Sequence, residues 1–226
     1  SQVFKDLLNK QSIKIGETEE ALLASLTSLA SKRDNETGNH IIRTAKYVRV
    51  IAQRLKAEGY YSEFLSEQRI RDFYRAAPLH DIGKVGIPDA ILNKPGKLDP
   101  DEWEIMKTHA SIGESILQTV KERFSDSPRF LQHAIEIAGG HHERWDGHGY
   151  PRGLAGEAIP LSARIMAAAD VYDALVSRRS YKEAWTHEEA YGEIMRLRGA
   201  QFDPKIVDAI VYEMSAFENI YKAHQD

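Results

Sequence analysis

Two short stretches of the sequence pair a histidine with another potential metal ligand. The stretch "PLHDIGK" places His80 next to Asp81, and "GGHHERWDGHGYP" places His141 next to His142. Each pair alone has an ordinary explanation, because adjacent histidines are usually an accident of surface composition and a His-Asp pair is usually a hydrogen bond at a helix end. Further residues of the same types turn the pairs into candidates for a metal centre.

A carboxylate interrupts one of the most apolar stretches of the chain. Asp170 lies in "ARIMAAADVYDALV", directly after three alanines. An unpaired carboxylate in such surroundings loses much of its solvation free energy, so it has to pair with a cation. That cation is either a metal ion or an arginine such as Arg164, and both remain open here. We expect Asp170 to lie in the core.

Two more positions extend the set beyond the needs of a single metal ion. They are His109 and His40, the latter with Glu36 four residues before it. The candidate ligands are then Glu36, His40, His80, Asp81, His109, His141, His142 and Asp170. Nitrogen and oxygen donors without sulfur suit iron, manganese, cobalt, nickel or zinc. Paired metals activate water and stabilise the attacking and leaving oxygens in phosphoester hydrolysis, so this is the chemistry we expect.

The elements that hold these residues are predicted to be helices. Apolar residues from Ile41 to Leu55 recur at three- to four-residue steps, as in an amphipathic helix. Helix starts are indicated at four capping residues, which are Asp99, Ser127, Thr186 and Asp203. The helix that opens at Asp99 is predicted to continue past His109. Alternating strand-like stretches are nearly absent, so we predict an all-α fold.

Composition narrows the function further. The chain has 226 residues, of which 42% are hydrophobic and 28% charged, as in an ordinary globular protein. It contains no cysteine, which excludes disulfides and thiolate metal sites, and its net charge of −4 argues against a surface for polymeric nucleic acid. We expect no membrane span, because no apolar run approaches the roughly 20 residues required. Two loops rich in glycine and proline, residues 83–98 and 143–160, follow the histidine pairs.

The pattern of motifs resembles the HD-GYP subgroup of the HD phosphohydrolase superfamily. The motifs are Glu36-x3-His40, "HDIGK" at 80–84, His109, "HHERWDGHGYP" at 141–151 and "ADV" at 169–171. The resemblance implies a helical bundle of the HD-domain type, with the two long Gly/Pro-rich loops around a metal site. We place the catalytic domain at residues 34–226 and interpret residues 1–33 as a helical linker from an upstream sensor or receiver domain.

The resemblance also implies roles for individual residues. All eight candidate ligands would bind metal, with Asp81 as the bridging carboxylate. Lys84 would contact the scissile phosphate, and Tyr150 would line the nucleotide site. The basic pair that holds the substrate phosphates in the family is matched by Arg179 and Lys182.

Two positions depart from the family pattern or have no assigned role in it. Ser180 replaces a proline that usually follows the arginine at position 179, which puts the placement of that arginine in doubt. His148 stands between Gly147 and Gly149 in the second loop, and we expect it to be exposed. Glu36 favours a third metal ion, because each added cation needs anionic oxygen to offset repulsion from its neighbours.

The resemblance implies a bacterial phosphodiesterase that hydrolyses cyclic di-GMP to the linear dinucleotide, with GMP as a further product in some members. The alternatives are a preference for cyclic GMP-AMP, an HD phosphohydrolase acting on mononucleotides, and a non-catalytic signalling module. The cofactors would be two or three divalent transition metal ions, with iron or manganese preferred over zinc, nickel or cobalt. We expect a cytoplasmic enzyme of second-messenger signalling or a two-component system, and leave a homodimer open.

Overall fold

Helices supply the regular structure of the chain. The computed structural model describes residues 2–33, 38–177 and 184–225, and these ranges contain no strand beyond one isolated bridge. The helices are α1 Gln2–Arg33, α2 Gly38–Ala57, α3 Glu67–Ala76, α4 Asp89–Leu92, α5 Pro100–Lys107, α6 His109–Glu122, α7 Arg129–Gly140, α8 Leu161–Val176, α9 His187–Arg196, α10 Pro204–Tyr212 and α11 Met214–Ala223. Short 3-10 turns occupy Ala77–Leu79, Ile82–Gly86 and Gly156–Ala158. The predicted all-α fold is confirmed.

The centre of the molecule is a ring of four packed helices. α2 contacts α3 and α8, and α7 contacts the same two helices. α8 is buried along almost its whole length, which explains why its sequence is a continuous apolar run rather than an amphipathic stripe. Fully burying one Ile or Leu side chain stabilises such a core by about 1.5–3 kcal/mol. Most candidate ligands lie on or directly after these helices, so the core fixes their positions.

Three of the four predicted helix starts are confirmed. Asp99 and Thr186 each form a capping box with the glutamate three residues later, and Asp203 accepts a hydrogen bond from the backbone of α10. Ser127 is not a cap, because α7 begins after Pro128 without a side-chain hydrogen bond. The helix predicted to run from Asp99 past His109 is also wrong in part: it breaks at Thr108, between α5 and α6.

α1 packs on the rest of the molecule through its second half. Leu22 and Leu26 contact the core, and α1 lies against the two 3-10 turns on either side of His80. Arg75 of α3 donates to the Glu20 carboxylate of α1. The predicted boundary after residue 33 stays a prediction. No helix in the described ranges combines the length and the apolar character that crossing a bilayer demands.

Candidate metal centre

His80 and Asp81 lie where α3 gives way to 3-10 structure. Pro78 follows α3 within the turn Ala77–Leu79, as its missing N–H predicts, and the chain then turns again at Ile82–Gly86. This second turn touches the start of α6 so closely that a Cβ on Gly83 would collide with the His109 carbonyl oxygen. Glycine at position 83 therefore allows the turn that follows Asp81 to pack against the start of α6, where His109 lies.

Four histidines present the same ring nitrogen to a common centre. In each of them Nδ1 lies 2.7 to 2.9 Å from an acceptor, so Nε2 is the nitrogen that faces the centre. The acceptors are the carbonyl oxygens of Ala77 for His80, of Met106 for His109 and of Ile137 for His141, and the Asp173 carboxylate for His40. Holding Nδ1 in this way orients an imidazole for metal binding through Nε2.

Several of the atoms that face the centre are buried and make no hydrogen bond. They are Nε2 of His80, Nε2 of His141 and Oδ1 of Asp81. A buried polar atom without a hydrogen-bond partner destabilises the fold. A proton or a metal cation would provide the missing partner for imidazole nitrogens that lie beside a carboxylate. The donor set of imidazole and carboxylate fits a divalent transition metal.

The potential ligands form two adjacent groups. One comprises Asp81, His109, His141 and His142, and the other comprises His40, His80 and Asp170. In the first group the Nε2 atoms of His109 and His142 are 3.0 Å apart. Two nitrogens that each lie about 2.1 Å from one ion are about 3.0 Å apart when they subtend a right angle, so this spacing suits neighbouring ligands.

Asp81 faces both groups with different oxygens. Its Oδ1 lies 3.3 Å from His109 Nε2 and 3.4 Å from His141 Nε2. Its Oδ2 lies 3.3 Å from Nε2 of His80, which belongs to the other group. A carboxylate in this position could join two cations. Burial by itself raises the pKa of the Asp81 carboxyl, but the Lys84 ammonium, His80 and the contacts with His109 and His141 together hold it well below its usual range.

Asp170 lies closer to the surface than we predicted. Its side chain is 19% exposed, because it faces the ligand groups from the side of α8 rather than the core. It lies 3.6 Å from His40 Nε2 and 3.7 Å from His80 Nε2. The alternative pairing with Arg164 is excluded, since that guanidinium lies 2.6 Å from the Asp203 carboxylate.

Asp173 and Arg43 support the centre and were not predicted from the sequence. The fully buried Asp173 carboxylate lies 2.8 Å from His40 Nδ1 and accepts hydrogen bonds of 2.7 and 2.9 Å from Arg43. Burial alone would raise the pKa of Asp173, but these hydrogen bonds lower it. Helical spacing was the available signal, because each residue lies three positions after a candidate ligand, Asp170 or His40.

Two residues assigned to substrate by the resemblance lie beside the ligand groups. The Lys84 ammonium is 2.7 Å from Asp81 Oδ2. The ring of Tyr150 stacks on the imidazole of His142 at a centroid distance of 4.8 Å. Burial is the main cause of a lowered pKa at His142, so that ring stays neutral and able to bind a cation.

The second loop is held in place by a buried glutamate. Glu143 accepts hydrogen bonds of 2.8 and 3.0 Å from the backbone N–H groups of Arg152 and Leu154, and so closes the loop that carries Tyr150. The sequence pattern contained this residue but gave it no role. A Cβ on Gly149 would collide with the backbone at Arg144, which accounts for glycine at that position.

Four residues named from the sequence cannot be placed. Glu36, Arg179, Ser180 and Lys182 lie outside the described residues. His148 is exposed as predicted, with 84% of its side chain accessible, and takes no part in the ligand groups.

Comparison with known proteins gives matches over most of the chain. A family model, described as an HD domain, matches residues 17–206. A relative from Vibrio cholerae serotype O1, named "Probable cyclic di-GMP phosphodiesterase", is 50% identical over 96% of this chain and 49% of its own length. Another from that organism, named "3'3'-cGAMP-specific phosphodiesterase 2", is 43% identical over 91% of this chain and 37% of its own length.

Solved structures share the fold. A cyclic GMP-AMP-specific phosphodiesterase of V. cholerae superimposes with a TM-score of 0.58 at 23% identity, covering 90% of this chain and 54% of that one. The chain spans about half the length, or less, of the curated relatives described above.

Proposed function

The chain belongs to the HD domain family, and from that premise we propose that it is the catalytic part of a metal-dependent phosphodiesterase acting on cyclic di-GMP. The observation that carries the proposal is the pair of ligand groups that meet at Asp81. The name of the relative with 50% identity supports the choice of substrate. We propose the linear dinucleotide as the product, with GMP as a second product if hydrolysis continues.

Asp81, His109, His141 and His142 would hold one cation, and His40, His80 and Asp170 would hold a second, with the Asp81 carboxylate facing both groups. Iron and manganese are the first choices for both, and Glu36 would supply oxygen to a third ion. Divalent cations bound there would supply Lewis acidity that activates water and neutralises charge on the phosphate oxygens. Two adjacent ligand groups suit a phosphodiester, because cations held there would stabilise both its attacking and its leaving oxygen.

The protein's own groups would bind and orient the substrate. Lys84 lies beside the Asp81 carboxylate, and its ammonium would donate to a non-bridging phosphate oxygen. Tyr150, which stacks on His142, would line the nucleotide site. Arg179 and Lys182 would hold the phosphates of the substrate from the segment that follows α8.

A preference for cyclic GMP-AMP is the second candidate, favoured by the relative with 43% identity. Both substrates contain the same kind of phosphodiester, so the ligand groups alone do not discriminate between them. A non-catalytic signalling module is disfavoured, because all seven candidate ligands that lie in the described residues face the same centre.

We also propose the wider context of the chain. Residues 1–33 would connect an upstream sensor or receiver domain to the catalytic domain at 34–226, and the enzyme would act in the cytoplasm. A homodimer is the assembly that we would test first, by light scattering of the purified chain.

The proposed function is tested by incubating the metal-loaded chain with each cyclic dinucleotide and separating the products by chromatography. We expect linear dinucleotide from cyclic di-GMP. Asp81→Ala should lose both turnover and bound metal, because two cations then lack their shared anion. His148→Ala is the control, since this exposed histidine lies outside both ligand groups. Absence of hydrolysis at full metal loading, or normal metal content and activity in Asp81→Ala, would refute the proposal.

A further inference from the structure

Helix α5 lies at the rim of the metal centre and contributes nothing to the core. None of its eight residues is buried. It is held instead by its capping box at Asp99 and by an ion pair between Lys94 and Glu102. A helix that is fixed in place without burying side chains is available to present them to a ligand.

The most prominent of these side chains is Trp103. It is 46% exposed, although a tryptophan gains more than most residues from burial. Its ring contacts Tyr150 at a centroid distance of 6.1 Å and an interplanar angle of 83°. Tyr150 in turn stacks on His142, one of the potential ligands, so the two contacts link the exposed tryptophan to the metal centre.

The nearly perpendicular rings of Trp103 and Tyr150 form a corner beside the site. A planar ring that lay flat on the tryptophan would turn its edge towards the tyrosine. Lys107, one turn further along α5, places its ammonium 5.8 Å from the centre of the Tyr150 ring, and this ammonium also pairs with the Glu104 carboxylate at 2.8 Å. Aromatic faces beside a cation are the arrangement that proteins use to stack nucleobases near a phosphate.

We propose that Trp103 is the stacking platform for a purine base of the substrate whose phosphodiester lies at the metal centre. This inference rests on the proposed function and adds a substrate-binding residue to it. A purine on Trp103 would belong to the nucleotide held at the Tyr150 side of the site. The platform would bind guanine and adenine alike, because both present a flat π face and stacking is tolerant of sequence.

The test replaces Trp103 in two ways on the metal-loaded 226-residue chain. Trp103→Phe keeps an aromatic face, whereas Trp103→Leu keeps an apolar side chain without one. Ile105→Ala is the matched control, since this residue is 41% exposed on the same helix. Initial rates are measured with cyclic di-GMP and with bis(p-nitrophenyl) phosphate, which offers a phosphodiester without a purine, and bound metal is quantified for every variant.

We expect Trp103→Leu to raise KM for cyclic di-GMP by about 5- to 150-fold, the range for loss of one base stack, with kcat little changed. KM for bis(p-nitrophenyl) phosphate should rise much less, and Trp103→Phe should recover most of the affinity for the dinucleotide. Metal content should match the unmodified chain, and Ile105→Ala should behave like it throughout.

Two results would overturn the inference alone. One is a normal KM for cyclic di-GMP in Trp103→Leu, and the other is an equal rise in KM for both substrates. Failure of the unmodified chain to hydrolyse either cyclic dinucleotide, while it cleaves bis(p-nitrophenyl) phosphate, would refute the proposed function and the role of Trp103 with it.

Discussion

The buried Asp173 carboxylate offers the sharpest test of how this centre is supported. Replacing Asp173 with Ala removes the acceptor for His40 Nδ1 and for two donors of Arg43. It also leaves the Arg43 guanidinium buried without its carboxylate. Asp173→Ala should therefore affect both the stability of the fold and the orientation of one proposed ligand.

The two effects have different magnitudes. Removing one partner of a buried ion pair destabilises a protein by about 3–5 kcal/mol, which we expect to see in chemical denaturation. A domain with a stability of about 5–15 kcal/mol can stay folded after this loss. Losing the group that orients a metal-binding histidine typically weakens metal binding by about 10- to 100-fold, which competition with a chelator would measure. Asp173→Asn, which keeps the shape, should show both effects more weakly.

Asp203→Ala separates the two effects. Asp203 forms a comparably buried ion pair with Arg164 and contacts no proposed ligand. We expect it to lose a similar free energy of unfolding and to bind metal as the unmodified chain does. If the two variants bind metal equally well, the carboxylate at position 173 only stabilises the fold, and the reasoning is refuted.

Two further predictions concern charges at the centre. Lys84→Ala should keep its metal but turn over cyclic di-GMP about 10- to 1000-fold more slowly, as after removal of one charged contact to a developing oxyanion. Loss of bound metal in this variant would instead mean that Lys84 supports the metal ligands. Burial lowers the pKa of His80, but Asp81 and Asp170 raise it to about 9, so this ring carries a proton at pH 7 that a cation has to displace. Metal affinity should therefore rise by up to tenfold per pH unit towards about pH 9. Calorimetry in two buffers of different ionisation enthalpy should detect the released proton. A metal affinity that does not change between pH 7 and pH 9 would contradict this.

The fold and much of the centre could be predicted because their signals are local. Capping residues such as Asp99 and Thr186 act within one helical turn, and both begin a helix where the sequence predicts one. The motif-based assignment to the HD-GYP group is likewise confirmed by the family and by named relatives. The break at Thr108 was missed because the residues on both sides of it favour helix, and only contacts with the rest of the fold decide that α6 starts afresh there.

The burial of individual carboxylates was harder to predict from the sequence than which residues are candidate metal ligands. The alanines around Asp170 indicated a position in the core, yet this carboxylate faces the ligand groups and is partly exposed. The fully buried carboxylate of α8 is Asp173, one turn later, which pairs with Arg43. A sequence shows that a helix is apolar all round, but it does not show which side of that helix borders a cavity lined by other ligands.

Some of the histidines are oriented by a nearby backbone carbonyl, whereas His40 is oriented by a carboxylate of another helix, and this difference follows from where each histidine lies along its helix. His80 directly follows a 3-10 turn, His141 directly follows α7, and His109 begins α6 two residues after the end of α5. Each ring therefore lies near carbonyl groups that lack a full set of partners within the preceding helix or turn. Each of these rings donates Nδ1–H to a carbonyl three or four residues earlier, so its orientation is encoded locally. His40 lies in the first turn of α2, where the unsatisfied groups are N–H donors that cannot accept a proton. It therefore needs an acceptor from another helix, and Asp173 of α8 provides it across 133 residues of sequence.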